Sequence, residues 1–142
     1  LELSKAPVVA THSSLRHFTP GWERNVSDEM LIALAENGGV IQLCFGSDFV
    51  ANRKDNPDIE VSVKNVVDHI DRVRDLVGID HVGFGSDFDG EVPLPEDIND
   101  VSKFPNLIEE LLIRGYTESE IDKILNENIL RVWKEVRALA DV

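Results

Sequence analysis

The segment GFGSDFDG, residues 83–90, decides the fold, because a predicted apolar strand ends there and is followed by two aspartates and a glycine. Aspartate is a poor strand former, and an unpaired carboxylate beside a core is costly. Asp87 and Asp89 therefore belong either to a turn or to a site that needs negative charge at the end of a strand. For Asp89 and Gly90 we favour a turn, with Gly90 at positive φ.

Outward from this segment, strands and helices alternate along the chain. Short apolar runs separated by helices are typical of parallel sheets. Two architectures fit this pattern, a doubly wound sheet and a (β/α)₈ barrel, and both place chemistry at the carboxyl ends of the strands. A whole barrel needs about 250 residues, so 142 residues would be its closing third to half. The predicted strands lie at 6–13, 39–45 and 81–85, and the predicted helices at 27–39, 63–77, 103–114, 117–126 and 127–140.

Two further expectations concern the helices. His69 lies within the helix at 63–77, away from the strand ends, and is expected at the surface. One apolar face near the end of the chain is expected to pack on the core. That face carries Ile121, Ile124, Leu125, Ile129, Val132, Trp133 and Val136.

Composition excludes several classes of partner and site. Fourteen basic residues against 27 acidic ones give a net charge of −13, which argues against nucleic acid or an anionic membrane as a partner. Cys44 is the only cysteine, so no intrachain disulfide can form, and we expect a buried thiol. No run approaches the roughly 20 apolar residues of a membrane span and no signal peptide is visible, which favours a cytoplasmic location. The chain begins at Leu1 rather than Met, as a piece of a longer protein would.

Polar residues stand at the ends of two predicted strands. His12 ends the first strand and Asp87 ends the third. Either alone has an ordinary explanation, a hydrogen-bonded loop histidine or a turn aspartate. Together at one rim they suit hydrolysis, because a neutral imidazole binds zinc and a nearby carboxylate can take a proton from water. They can act on one site if the fold closes as a barrel.

Six collinear blocks, covering nearly the whole chain, resemble the renal (membrane) dipeptidase family. The resemblance implies zinc-dependent hydrolysis of dipeptides on a (β/α)₈ TIM barrel of metal-dependent hydrolases, with two zinc ions bridged by a glutamate. It also implies that residues 1–142 are a single C-terminal portion of that barrel, about strands six to eight with their helices. The blocks are THSS (11–14), RNVSDEML (24–31), ENGGVIQ (36–42), VDHIDRVRDLVGIDHVGFGSDFDG (67–90), DVSKFPNLIEELLIRGYTESEI (100–121) and ILNENILRVW (124–133).

The same resemblance implies roles for three residues. His12 matches the last histidine ligand of the zinc site, on the sixth strand. Arg24 matches the arginine that holds the carboxylate of the substrate. Asp87 matches the eighth-strand aspartate that carries a proton from the attacking water to the leaving amine. The stretch between His12 and Arg24 is one residue longer than in the renal form, so Arg16 or His17 is an alternative for binding the anion.

The other metal ligands of the family, a first-strand His-x-Asp pair, the bridging glutamate and a further histidine, have no match in this sequence. Since zinc sites take three or four protein ligands, we expect the chain alone to be inactive. Two alternatives stay open. One is another metal-dependent barrel amidohydrolase or lactonase that uses the same aspartate. The other is a non-catalytic half-barrel that associates with itself.

The missing strands carry an expectation about partners. With three strands of eight, Val8, Ile41, Phe84 or their neighbours would face water, and open strand edges favour association. We therefore expect a homo-oligomer, or association with the remainder of the barrel.

Overall fold

Three parallel strands form the sheet in the computed structural model, which describes residues 4–140. The strands are β1 (Val9–Ser13), β2 (Val40–Cys44) and β3 (Val82–Ser86), hydrogen-bonded in the order β1-β2-β3. Each parallel connection contains at least one helix, as a crossover requires. The parallel α/β arrangement predicted from the sequence is confirmed.

Apart from a short helix at 47–50, in a stretch predicted as a loop, the helices follow the predicted segments closely, and their caps explain where they begin and end. Ser27 accepts a hydrogen bond from the Met30 amide, and Thr117 forms a capping box with Glu120. Gly38 lies at φ 77° just after the first helix and stops it. The helices are α1 (Asp28–Glu36), α2 (Ser47–Val50), α3 (Val63–Val77), α4 (Phe104–Ile113), α5 (Glu118–Asp122) and α6 (Asn128–Ala140), with a π-helical turn (Lys123–Glu127) joining the last two.

The outer face of the sheet packs on the helices. Along β2, Ile41 and Leu43 are fully buried and belong to one apolar cluster with Phe45. Ile41 was expected to face water, and that expectation is wrong, because the alternation of a strand turns Ile41 toward the helices. Val8 and Phe84 are half-buried and pack against the same cluster. Each large apolar side chain buried in this way contributes about 1.5–3 kcal/mol.

The opposite, inner face of the sheet carries small and polar residues. Gln42 and Cys44 alternate with the core residues of β2, and Gly83 and Gly85 occupy β3. A Cβ atom at Gly85 would lie 2.4 Å from the Thr11 carbonyl oxygen of β1. Because β1 and β3 flank β2 and yet approach each other this closely, the sheet is strongly curved. Glycine at position 85 is what permits the approach.

The apolar face near the end of the chain is only partly core. Ile121, Ile124 and Val132 are buried, whereas Trp133 is 63% exposed and Val136 is 41% exposed. Burial of Trp133 and Val136 was expected and is wrong. Asn128 donates hydrogen bonds to the carbonyl oxygens of Ile79 and Val82, and this fixes the rotation of α6 with Val132 inward. Since successive helical residues point about 100° apart, Trp133 then faces outward.

His69 is fully buried, so its expected surface position is also wrong. Its Nδ1 accepts a hydrogen bond from the Leu15 amide at 3.0 Å, and its Nε2 lies 3.2 Å from the Val50 carbonyl oxygen. Burial lowers the pKa of His69 to about 4, so the ring is neutral and Nε2 carries the proton that it donates to Val50. The side chain thereby joins the segments that follow β1 and β2.

Candidate active site

The site residues lie where the strand pairing becomes irregular. The β1–β2 register shifts between Ala10 and Ser13, so β1 carries an extra residue next to His12. In β3 the pairing skips Gly85, just before Asp87. Such bulges are common at barrel rims and beside active sites, where they redirect a side chain. A β-bulge therefore shapes the carboxyl ends of both β1 and β3.

Asp87 begins a turn at the end of β3. Ser86 and Asp87 have φ values of 32° and 68°, an uncommon conformation for residues with side chains. The Gly90 amide donates to the Asp87 carbonyl oxygen at 3.2 Å and closes the turn. Gly90 is not at positive φ, which corrects the expectation from the sequence, because the turn takes its left-handed residues at Ser86, Asp87 and Glu91.

The Asp87 carboxylate meets two donors through one oxygen. Its Oδ2 lies 3.5 Å from Arg24 Nη2 and 3.7 Å from Cys44 Sγ. Burial raises the pKa of the Cys44 thiol, so it keeps its proton and can donate it. As predicted, Cys44 is buried.

Arg24 connects three segments of the chain. Its guanidinium lies over the ring of Phe49 in α2, with Cζ 4.0 Å from the ring centroid, and its Nη2 reaches Asp87. The Ser13 hydroxyl at the end of β1 donates to the Arg24 carbonyl oxygen at 3.2 Å. A guanidinium has five N–H donors, so the contact with Asp87 leaves capacity for a carboxylate ligand.

A buried asparagine holds the loop that presents Arg24. Asn25 donates to the Thr19 hydroxyl at 2.6 Å and to the Phe49 carbonyl oxygen at 2.9 Å, and it accepts from the Ser14 amide. These bonds fix the loop between β1 and α1 against α2. Sequence reasoning did not assign this role to Asn25; the adjacent arginine and asparagine at 24–25 were the available signal.

The alternative anion binders have other contacts. Arg16 donates to the carbonyl oxygens of Asn25 and Glu23 and forms an ion pair with the Glu23 carboxylate at 3.3 Å. The ring of His17 stands edge-on to Phe18, with 4.9 Å between centroids. Arg16 is thus engaged inside the loop, while Arg24 faces Asp87.

His12 is exposed, and its Nδ1 lies 2.8 Å from the Thr11 hydroxyl. If Nδ1 carries the proton and donates it to Thr11, the lone pair of Nε2 is left for a metal ion, so His12 fits one position of a zinc site. Among residues 4–140, no three His, Cys, Asp or Glu side chains come together as a metal-binding group. Because zinc takes three or four protein ligands, His12 would need partners other than these.

The model of the membrane dipeptidase family (peptidase family M19) matches residues 1–142. The chain belongs to this family. The dipeptidase ataJ of Aspergillus terreus is 46% identical over 140 residues, which are 99% of this chain and 33% of that protein. The chain thus spans about a third of the length of this dipeptidase.

Solved dipeptidase structures share the fold. A metallopeptidase from Rhodobacter sphaeroides, liganded with a phosphinate mimic of the dipeptide L-Ala-D-Ala, has a TM-score of 0.84 and 36% identity over 94% of this chain and 37% of its own. The probable dipeptidase PvdM from Pseudomonas aeruginosa has a TM-score of 0.86 and 27% identity over 96% and 46%. The predicted fold class and the dipeptidase resemblance are confirmed. No helix between residues 4 and 140 is long and apolar enough to cross a membrane.

Proposed function

We propose that residues 1–142 form the C-terminal portion of a zinc-dependent dipeptidase and supply the arginine and aspartate of its active site. The observation that carries this proposal is the contact of Arg24 Nη2 with Asp87 Oδ2, 3.5 Å apart at the carboxyl end of the sheet. Membership of the membrane dipeptidase family supports it, since this is a family of metallopeptidases. Strand ends are also where α/β barrels place their chemistry.

Arg24 binds the C-terminal carboxylate of the dipeptide in this proposal. Its planar guanidinium can donate two parallel hydrogen bonds to a carboxylate. The Phe49 ring beneath it and the bond from Ser13 to its backbone limit its movement. Arg16 and His17 remain alternatives, but the bonds of Arg16 to its own loop favour Arg24.

Asp87 moves the proton and also contacts the substrate. Oδ2 already accepts hydrogen bonds from Arg24 and Cys44. Oδ1 has no hydrogen-bond donor among residues 4–140. Oδ1 is therefore the oxygen that can accept a proton from water and pass it to the leaving amine. A carboxylate in this role contributes about 10²–10⁴-fold to the rate.

His12 supplies one zinc ligand through Nε2, and the remaining ligands of a two-zinc site come from the rest of the barrel. Zinc, when bound, would supply Lewis-acid polarisation of the peptide carbonyl and a lowered pKa for water. Since no group of three metal-binding side chains forms among residues 4–140, residues 1–142 alone are expected to be inactive. The inner face of the sheet is where the rest of the barrel would associate, and Gln42 Nε2 is buried there without a hydrogen-bond partner among the described residues.

The test is hydrolysis by the full-length protein. It should cleave free dipeptides when supplied with zinc and lose activity after treatment with a chelator. Lactones and N-acyl amino acids, tested in parallel, separate this proposal from another barrel amidohydrolase or lactonase. Cleavage of a lactone with no cleavage of any dipeptide would overturn it. Residues 1–142 alone serve as the control and should show no turnover.

A further inference from the structure

The two oxygens of the Asp87 carboxylate have different surroundings. Oδ2 contacts Arg24 Nη2 at 3.5 Å and Cys44 Sγ at 3.7 Å. Oδ1 lies in space that a side chain at position 90 would occupy, because a Cβ atom built on Gly90 would be 2.7 Å from it. Hydrogen-bond donors therefore surround Oδ2, whereas Oδ1 lies in space left open by the absence of a side chain at position 90.

The Asp87 carboxylate, rather than the backbone conformation of Gly90, is what favours glycine at position 90. Its φ lies outside the left-handed region, so an alanine could adopt the same conformation. The three atoms nearest to a Cβ atom at Gly90 all belong to the Asp87 side chain, namely Oδ1 at 2.7 Å, Cγ at 2.9 Å and Oδ2 at 3.1 Å. An alanine would thus meet the carboxylate before any other group, and the carboxylate would have to move.

Cys44 is well placed to hold the other oxygen. It ends β2, pairs with Ser86 immediately before Asp87, and accepts a hydrogen bond from the Ser14 hydroxyl at its carbonyl oxygen. The backbone of Cys44 is therefore fixed relative to the turn that bears Asp87. Its protonated thiol is a weak donor directed at Oδ2.

We propose that Gly90 and Cys44 are positioning residues for Asp87: Gly90 leaves the space that Oδ1 needs, and Cys44 donates its thiol proton to Oδ2. The inference rests on the proposed function, in which Asp87 transfers the proton. Together the two residues keep Oδ2 occupied and leave Oδ1 to exchange the proton. Both residues act through the Asp87 carboxylate, and neither is assigned a contact with the substrate.

The kinetic test uses the full-length enzyme. Gly90→Ala should lower kcat on a dipeptide by about 10–100-fold, as a misplacement of about 1 Å can, with KM changed by less than about threefold. Cys44→Ala should lower kcat by about tenfold, and Cys44→Ser, which restores a donor, should recover most of that loss. Asp89→Ala is the matched control in the same turn, since Asp89 is exposed, and it should keep wild-type kcat. Wild-type kcat in Gly90→Ala would overturn the proposal.

Coupling to Asp87 separates positioning from a general structural effect. In an Asp87→Asn background, Gly90→Ala and Cys44→Ala should each cost less than about a further twofold in kcat, because the group that they position is gone. Full additivity of the losses would overturn the proposal.

A crystal structure of the Gly90→Ala protein should show the carboxylate displaced beyond hydrogen-bond distance of Cys44 Sγ, and an unmoved carboxylate would contradict the inference. If the wild-type enzyme cleaves no dipeptide, the proposed function fails, and this structural comparison still decides whether Gly90 positions Asp87.

Discussion

Arg24 and Asp87 lie 63 positions apart in the sequence, and the structure brings Arg24 Nη2 to 3.5 Å from Asp87 Oδ2. The side chains keep 32% and 24% of their surface exposed, so the pair is loose and partly hydrated. Exposed pairs of this kind contribute about 0–1 kcal/mol, and the carboxylate of a ligand can compete with Asp87 for the guanidinium. The contact therefore suits a site in which Arg24 exchanges partners when substrate binds.

The first prediction concerns Asp87→Asn in the full-length enzyme. The change is nearly isosteric and preserves the contacts with Arg24 and Cys44 in shape, so the protein should fold and keep its zinc. Removal of the carboxylate that we propose transfers the proton should lower kcat by about 10²–10⁴-fold. Steady-state kinetics on a dipeptide, with zinc content measured on the same sample, checks both parts. Wild-type turnover would dismiss the role of Asp87 in proton transfer.

The second prediction concerns Arg24→Lys. Lysine presents a point charge and cannot donate two parallel hydrogen bonds to a carboxylate. The substitution should raise KM for free dipeptides far more than for C-terminally amidated dipeptides, with a smaller effect on kcat. KM and kcat for the matched pair of substrates are the measurement.

Arg16→Lys is the matched control for Arg24, since Arg16 bonds to the backbone of its own loop. It should affect free and amidated dipeptides equally. If Arg16→Lys discriminates between the two substrates and Arg24→Lys does not, the anion-binding role moves to Arg16.

The third prediction concerns acid stability and rests on His69. Its pKa falls from the ordinary 6.5 to about 4 in the folded protein, since burial disfavours the charged ring. Between these values the unfolded chain binds the proton and the folded chain does not, so stability is full above pH 6.5 and declines as the pH falls toward 4. A shift of this size corresponds to about 3 kcal/mol. Urea unfolding of the full-length protein from pH 7 to pH 4 measures the decline.

Variants assign this pH dependence to His69. A glutamine at position 69 does not titrate and can still accept from the Leu15 amide and donate to Val50, so His69→Gln should flatten the pH dependence even if it lowers stability overall. His81→Gln is the control, because His81 is only half-buried and its Nδ1 lies 2.8 Å from the Gly39 carbonyl oxygen. It should retain the full decline. A decline unchanged in His69→Gln would place its origin in other groups.

The elements that sequence predicts best are those set by local chemistry. The three strands, α1 with its Ser27 cap and the stop at Gly38 follow from apolar periodicity and capping preferences, which depend on neighbours in the chain. The fold class could not be predicted from local chemistry alone, because three parallel strands fit both a doubly wound sheet and a (β/α)₈ barrel. The collinear family blocks decided between these two architectures. The roles proposed for Arg24 and Asp87 likewise come from those blocks.

The errors have tertiary causes. His69 lies three residues after Val66 and four before Val73, on the buried face of α3. Its position in a helix away from the strand ends argued for the surface, and its hydrogen bonds to the backbone of Leu15 and Val50 explain its burial. Glycine at position 90 is favoured by the Asp87 carboxylate rather than by its φ, and the residue preferences of turns do not predict such a side-chain contact. Trp133 was placed in the core from periodicity, which gives the spacing of a face and not the rotation that Asn128 imposes on α6.

The last prediction concerns residues 1–142 as an isolated chain. β1 and β3 are the edges of the three-stranded sheet, and their outer N–H and C=O groups offer a template for another strand. Val101, Ile113 and Trp133 are 74%, 72% and 63% exposed, which adds apolar surface outside the sheet. The chain should therefore self-associate at micromolar concentration, and mixing it with the remainder of the barrel should replace the self-association with a complex between the two. Since no three His, Cys, Asp or Glu side chains between residues 4 and 140 form a metal-binding group, the isolated chain should bind zinc weakly. Sedimentation and zinc titration decide the matter: a monomer throughout the micromolar range, or two tightly bound zinc ions per chain, would show the prediction to be wrong.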